Sequence, residues 1–153
     1  MIRIEKKQFL PGDEIDKFIK KNSGSGGISS FIGIARDFML DNNGEKLTVK
    51  SIELEHYGEM AESQIQKIIN NVKNRWLLDD LLVIHRYGII LPTEPIVLIC
   101  TASLHRKDAI ESCKFVIDFL KVKATFWKKE ITNKNNQWVK ENIKDEKEKN
   151  SWV

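Results

Sequence analysis

Apolar residues recur along this chain with two periods, one of two residues and one between three and four, and these divide it into strands and helices. Ile2 and Ile4 alternate with Arg3 and Glu5, which predicts a strand over residues 1–9. Pro11-Gly12 turns the chain, and Asp13 can cap a short helix burying Ile15, Phe18 and Ile19. NSGSGG is a flexible break, and GISSFIGIARDF reads as a strand with small residues on one side. MLDNNGEKLT reads as a polar loop turning at Asn43-Gly44, after which VKSIELEHY alternates again through Val49, Ile52 and Leu54.

From Glu59 to about Trp76 the apolar set Met60, Ile65, Ile68, Ile69 and Val72 forms one helical stripe. LLVIHRYGII and PIVLICTAS are two strongly apolar strands separated by LPTEP. A second long helix runs from Arg106 to about Lys123, with Ile110, Cys113, Val116, Ile117 and Leu120 facing inward. TFWKKEIT and QWVK, joined by NKNN, form a closing hairpin. Strands exceed helices without a regular alternation of the two, which predicts an α+β domain with a largely antiparallel sheet. Residues 1–140 make one domain, and residues 141–153 a charge-dense tail that is frayed helix or disordered.

Composition narrows this little. With 153 residues, 41% hydrophobic and 31% charged, the chain is an ordinary one-domain globular protein. A net charge of only +3 gives no chain-wide field for nucleic acid. No apolar run approaches the ~20 residues of a membrane span, and the N-terminus lacks a secretory apolar region, so the expectation is a cytoplasmic protein. Cys100 and Cys113 lie in apolar periodic segments and read as buried, reduced thiols. His56 and His85 occupy separate strands without a third ligand, so neither a metal nor a cofactor is expected. GSGG precedes a strand rather than a helix and is no phosphate loop. The four tryptophans read as core or interface.

Local charge is more informative. Residues 105–129 hold seven Lys/Arg against three Asp/Glu. His105-Arg106 stands at a strand-to-helix junction, where free backbone N–H groups and the helix dipole favour an anion, with Ser103 as the cap. A phosphate or carboxylate site and a solvated surface pair both fit. Lys114, Asp118 and Lys121 share a helix face, so Lys121 is either a surface ion-pair member or a functional cation. Lys128 follows Phe126-Trp127 directly. A lysine beside apolar surface loses solvation and either pairs with an anion or yields its proton more easily. Spacing alone leaves open which face of its strand Lys128 occupies. Arg36, which ends FIGIAR, is the third basic position.

In order, FIGIARDF, LEHYGEMAE, NRWLLDDLLVIHRYGIILPTE, SLHRKDAIESCKFVIDFLKVKATFWKKE and WV resemble the large, catalytic subunit family of molybdopterin synthase. The likeness spans residues 27 to 139, about three quarters of the chain. It implies an α/β hammerhead with an additional antiparallel β subdomain. It also implies conversion of cyclic pyranopterin monophosphate into molybdopterin by transfer of two sulfurs, forming a dithiolene. The sulfur would arrive as a thiocarboxylate on the C-terminal Gly-Gly of a small ubiquitin-like subunit. Two large subunits would form a homodimer at the centre of a heterotetramer.

The resemblance places the functional positions on Ile34, Ala35, Arg36, His105, Arg106, Lys121, Lys128, Lys129 and Glu130. Arg36, His105 and Arg106 would bind the phosphate, Lys121 would be the main catalyst, and Lys128 would hold the tail and stabilise developing charge. The chain departs from the pattern at Thr93, where the family typically has glycine, at Pro95, and at Ile34, where a basic or polar residue is common. Two rival readings are a non-catalytic adaptor that recognises an anionic ubiquitin-like tail and an RNA-binding domain using the basic helix end. The near-neutral net charge disfavours the second.

Overall fold

The computed structural model describes all residues except 57, 124–125, 134–135, 140–142 and 153, and only the backbone of residues 126–127, 136–139 and 143–146. The side chains of Phe126, Trp127 and Trp138, and the middle of the NKNN turn, therefore lie outside the described residues.

The elements run β1 (Ile2–Glu5), α1 (Pro11–Lys21), β2 (Gly27–Ile34), β3 (Phe38–Leu40), β4 (Lys46–His56), α2 (Gly58–Arg75), β5 (Asp80–Arg86), β6 (Gly88–Ile90), β7 (Pro95–Ser103), α3 (Arg106–Lys123), β8 (Phe126–Thr132), β9 (Asn136–Val139) and α4 (Ile143–Asn150). Strands β1-β5-β7-β2 form a four-stranded sheet, antiparallel except for the β1–β5 pair. A second sheet is ordered β3-β4-β8-β9, with β6 also paired to β4. This is the expected α+β fold.

The period of two decides what each face of the first sheet buries. Leu81, Val83, Val97 and Ile99 pack with Ile65, Ile68, Val72, Phe115, Val116 and Leu120 under α2 and α3. Their neighbours Leu82, Ile84, Leu98, Cys100 and Ala102 pack with Phe9 and Phe18 under α1. Ala35, Val49, Ile52, Leu54 and Ile90 form a third cluster on the second sheet. Burial pushes the Cys100 thiol up to about 12 and raises that of Cys113. Both stay inert thiols.

Several local expectations are corrected. The loop MLDNNGEKLT is largely a hairpin: Met39 pairs with Leu47 and Leu40 with Lys46, and only Asp41–Glu45 turns. LLVIHRYGII is two strands, because Gly88 at φ +86 breaks the run and sends β6 to the other sheet. Helix α1 starts with Pro11 at its first position, so Asp13 lies in the first turn, where it favours the dipole rather than capping. Met60, Ile110 and Ile19 are exposed rather than inward. Ile110 stands about 100° around the helix from Ala109, which with Ser112, Cys113, Val116 and Leu120 forms the buried stripe. The tail contains α4, and beyond it Trp152 packs edge-on against Trp76 and Phe115. No helix among the described residues is long and apolar enough to cross a membrane.

Candidate functional site

Antiparallel β2 and β7 fix where the basic residues fall. Gly27 is paired with Ser103 and Ile34 with Pro95, so Arg36 and His105-Arg106 leave this ladder at opposite ends. At the Ser103 end the chain turns through Leu104-His105 into α3. A Cβ on Gly26 would collide with the Leu104 carbonyl oxygen, and one on Gly27 would stand 3.2 Å from Arg106 Cα. The glycines of NSGSGG thus permit close backbone approach beneath the start of α3. Ser103 is no strong cap. Its hydroxyl donates to Leu77 O at 2.7 Å and accepts from the His105 N–H at only 3.4 Å. His105 and Arg106 are exposed.

Helix α3 then runs back over the sheet. Thr101 donates to Ala109 O at 2.6 Å, and further along Val116 and Leu120 join the cluster containing Val97. Lys121, exposed in the last turn, therefore stands at the Arg36 end, about 22 Å along the helix from Arg106 at 1.5 Å per residue. Asp118 accepts Lys114 Nζ at 2.8 Å and Trp152 Nε1 at 2.7 Å.

Strand β8 sets Lys128 against β4 of the second sheet. Lys128 is opposite Leu54 and Glu130 opposite Ile52, so both lie on the face of that buried apolar pair. This settles what spacing left open: Lys128 faces the third cluster. Its ammonium lies 2.8 Å from Glu130 Oε1, with side-chain exposures of 31% and 6%. Lys129, opposite Glu53, takes the other face.

Ala35 is buried in that same cluster, its neighbour Ile34 is exposed, and Arg36 stands exposed at the cluster's margin. The Arg36 guanidinium lies 5.9 Å from the Phe38 ring centre, and Lys46 Nζ lies 4.2 Å from the same centre. Two cations over one ring raise the local positive potential. Arg36 and the Lys128–Glu130 pair thus border the third cluster, Lys121 ends the helix that runs back toward the Arg36 end of the first sheet, and His105-Arg106 lie at the opposite end. Cavities of about 370 and 200 Å³ lie elsewhere, around Met1 and Asp80.

Residues 4–123 match the family described as MoaE protein. The chain belongs to the MoaE family. A molybdopterin synthase catalytic subunit from Pseudomonas aeruginosa is 39% identical over 99% of this chain and 97% of its own length. One from Ralstonia nicotianae is 40% identical over 99% of this chain and 83% of its own. The solved molybdopterin biosynthesis MoaE protein of Burkholderia ambifaria superposes with a TM-score of 0.80 at 36% identity, covering 99% and 97% of the two chains. The MoaE match takes in Arg36, His105, Arg106 and Lys121, while Lys128 and Glu130 lie in the longer span shared with the full-length relatives.

Sequence reasoning missed two features around this candidate site. Lys46 joins Arg36 only because residues 38–48 fold into a hairpin, which an alternation check on either side of Asp41–Glu45 would have found. Arg86 and Glu94 went unnoticed because their link crosses an eight-residue gap that spans a turn. Among the described residues no three His, Cys, Asp or Glu side chains form a metal-binding group.

Proposed function

We propose that this chain is the catalytic subunit of a molybdopterin synthase, a cytoplasmic sulfurtransferase that works only with a small ubiquitin-like partner. What supports this reading is that Arg36 and Lys128 border the cluster containing Ala35, Ile52 and Leu54, with Lys128 paired to shielded Glu130, and that α3 carries Lys121 toward the Arg36 end of the first sheet. Such an arrangement suits two anions meeting in partly desolvated surroundings, a cyclic phosphate and a thiocarboxylate.

In this reading Arg36 binds the phosphate through its forked donors. Sulfur of the partner's thiocarboxylate attacks an oxygen-bearing side-chain carbon of the pterin, forming a carbon–sulfur bond as that carbon's bond to oxygen breaks, the oxygen departing on the phosphate or, once protonated, as water, and the tail stays attached as a thioester. Water then cleaves the acyl–sulfur bond and releases the tail as a carboxylate, and a second round completes the dithiolene. Lys121 moves the protons and Lys128 stabilises negative charge developing on the acyl oxygen. Ile34, Ala35, Lys129 and Glu130 shape and support this end of the site.

His105 and Arg106 cannot reach Lys121 in their own chain across about 22 Å of helix. A homodimer of large subunits, as the centre of a heterotetramer, would bring them from the second copy. The test mixes purified protein with thiocarboxylated partner and cyclic pyranopterin monophosphate and measures dithiolene product. Lys121→Ala should nearly abolish product while the complex with the partner stays intact. Retention of most activity would remove Lys121 from its role, and partner binding without any turnover by the parent protein would favour the adaptor reading.

A further inference from the structure

Arg36 is exposed, yet the backbone on either side of it is fastened. The Ala35 N–H donates to Glu94 O at 3.0 Å, and the Thr93 N–H donates to Ala35 O at 2.8 Å. The second carbonyl belongs to the peptide that begins Arg36. On the far side Asp37 O accepts the Val49 N–H at 2.9 Å. The position of the Arg36 Cα is therefore set largely by residues 93 and 94, together with the buried methyl group of Ala35.

Residues 91–94 form a turn closed by Glu94 N–H to Leu91 O at 3.2 Å, with Pro92 second and Thr93 third at φ +72. That is a type II turn, whose third position prefers glycine. A β-branched residue there is strained, so other contacts must hold the turn in shape. The Glu94 carboxylate supplies them. Its Oε2 accepts the Leu91 N–H at 3.0 Å and Arg86 Nη1 at 3.1 Å, and Arg86 Nη1 also donates to Pro95 O at 3.1 Å. The Leu91 N–H, followed by Arg86, holds the Glu94 carboxyl below its ordinary range against the opposing effect of burial.

Arg86 is almost wholly buried, and its Nε is the one buried side-chain polar atom without a partner among the described residues. Burying a cation with an unused donor is costly and is poor evidence of a purely stabilising role. We infer that Glu94, clamped by Arg86, is a positioning residue for Arg36, fixing the arginine backbone through the Thr93-Glu94 bridge to Ala35. This rests on the reading above, in which Arg36 grips the anionic end of the substrate.

A double-mutant cycle on the reconstituted enzyme tests it, with KM for cyclic pyranopterin monophosphate as the readout. Glu94→Gln should raise KM about tenfold with a smaller change in kcat. In an Arg36→Ala background, Glu94→Gln should add nothing, because its effect passes through Arg36. Additive effects would overturn the inference and leave the reading of Arg36 standing. An Arg36→Ala enzyme with unchanged KM would overturn both. If Glu94→Gln does not fold by circular dichroism, Glu94→Asp takes its place in the same cycle under the same criteria.

Discussion

Lys128 Nζ lies 2.8 Å from a Glu130 oxygen that is almost completely shielded from water. The two residues are two apart on β8 and so share one face, opposite Leu54 and Ile52. A charge pair in such a place is weak evidence of net stabilisation, but breaking it strands one charge. Glu130→Gln should therefore destabilise the fold by about 2 kcal/mol, between the values for exposed and buried pairs. Glu130→Gln with Lys128→Met should cost less than the sum of the single changes. Urea unfolding of the four proteins measures both quantities, and simple additivity would contradict the pairing.

Trp152 connects the end of the chain to the core. Its ring meets Trp76 at 5.8 Å and Phe115 at 5.5 Å, its Nε1 donates to Asp118, and its carbonyl accepts Arg75 Nη1 at 2.9 Å. Trp152→Ala should lower stability by about 2 kcal/mol, or several degrees in Tm. Leu77→Ala, at a residue 86% exposed, should change Tm little. Equal melting of Trp152→Ala and the parent protein would mean that Trp152 does not dock in solution.

Thr93 adopts a backbone conformation that glycine accepts freely. Thr93→Gly should raise stability by about 1 kcal/mol, the relief of left-handed strain exceeding glycine's added freedom in the unfolded chain. A thermal melt checks the sign, and a lower Tm would show that the threonine side chain makes a stabilising contribution larger than the strain.

Burial pushes the His85 imidazole down to about 4 from its ordinary 6.5. Between these values the unfolded chain binds a proton that the folded chain refuses. The stabilisation is thus complete above pH 6.5 and is lost as pH falls toward 4, by up to about 1.4 kcal/mol per pH unit. Glu94 acts in the same direction only below its ordinary 4.5, where the unfolded chain's carboxyl takes up a proton that the folded one, held below that range, still refuses. Stability measured between pH 6.5 and 4.5 should therefore decline in the parent protein and stay flatter in His85→Gln.

Much of this architecture was legible because it depends on local periodicity. The apolar runs of β5 and β7 and the stripe Ile65, Ile68, Ile69 and Val72 were readable, since each reports burial against a neighbour. What escaped depended on distant partners. Nothing in LLVIHRYGII says that Gly88 will hand the chain to another sheet, because the break is a backbone angle rather than a change of hydropathy. The outward turn of Ile110 depends on the rotation of α3 over its sheet. The face taken by Lys128 depended on its register with Leu54, which a single strand does not carry. The separation of Arg106 from Lys121 was already implicit in one helix carrying both, whereas which of them shares an end with Arg36 required knowing that α3 doubles back along β7.

The length of α3 imposes a counting rule on any symmetric assembly built from this chain. A two-fold axis that sets the Arg106 end of one copy beside the Lys121 end of the other does so twice, giving two composite centres. Arg106→Ala chains and Lys121→Ala chains, each inactive as pure dimers, would regain turnover when mixed, because every hybrid concentrates both lesions in one centre and leaves the other whole. A monomeric centre would gain nothing from mixing.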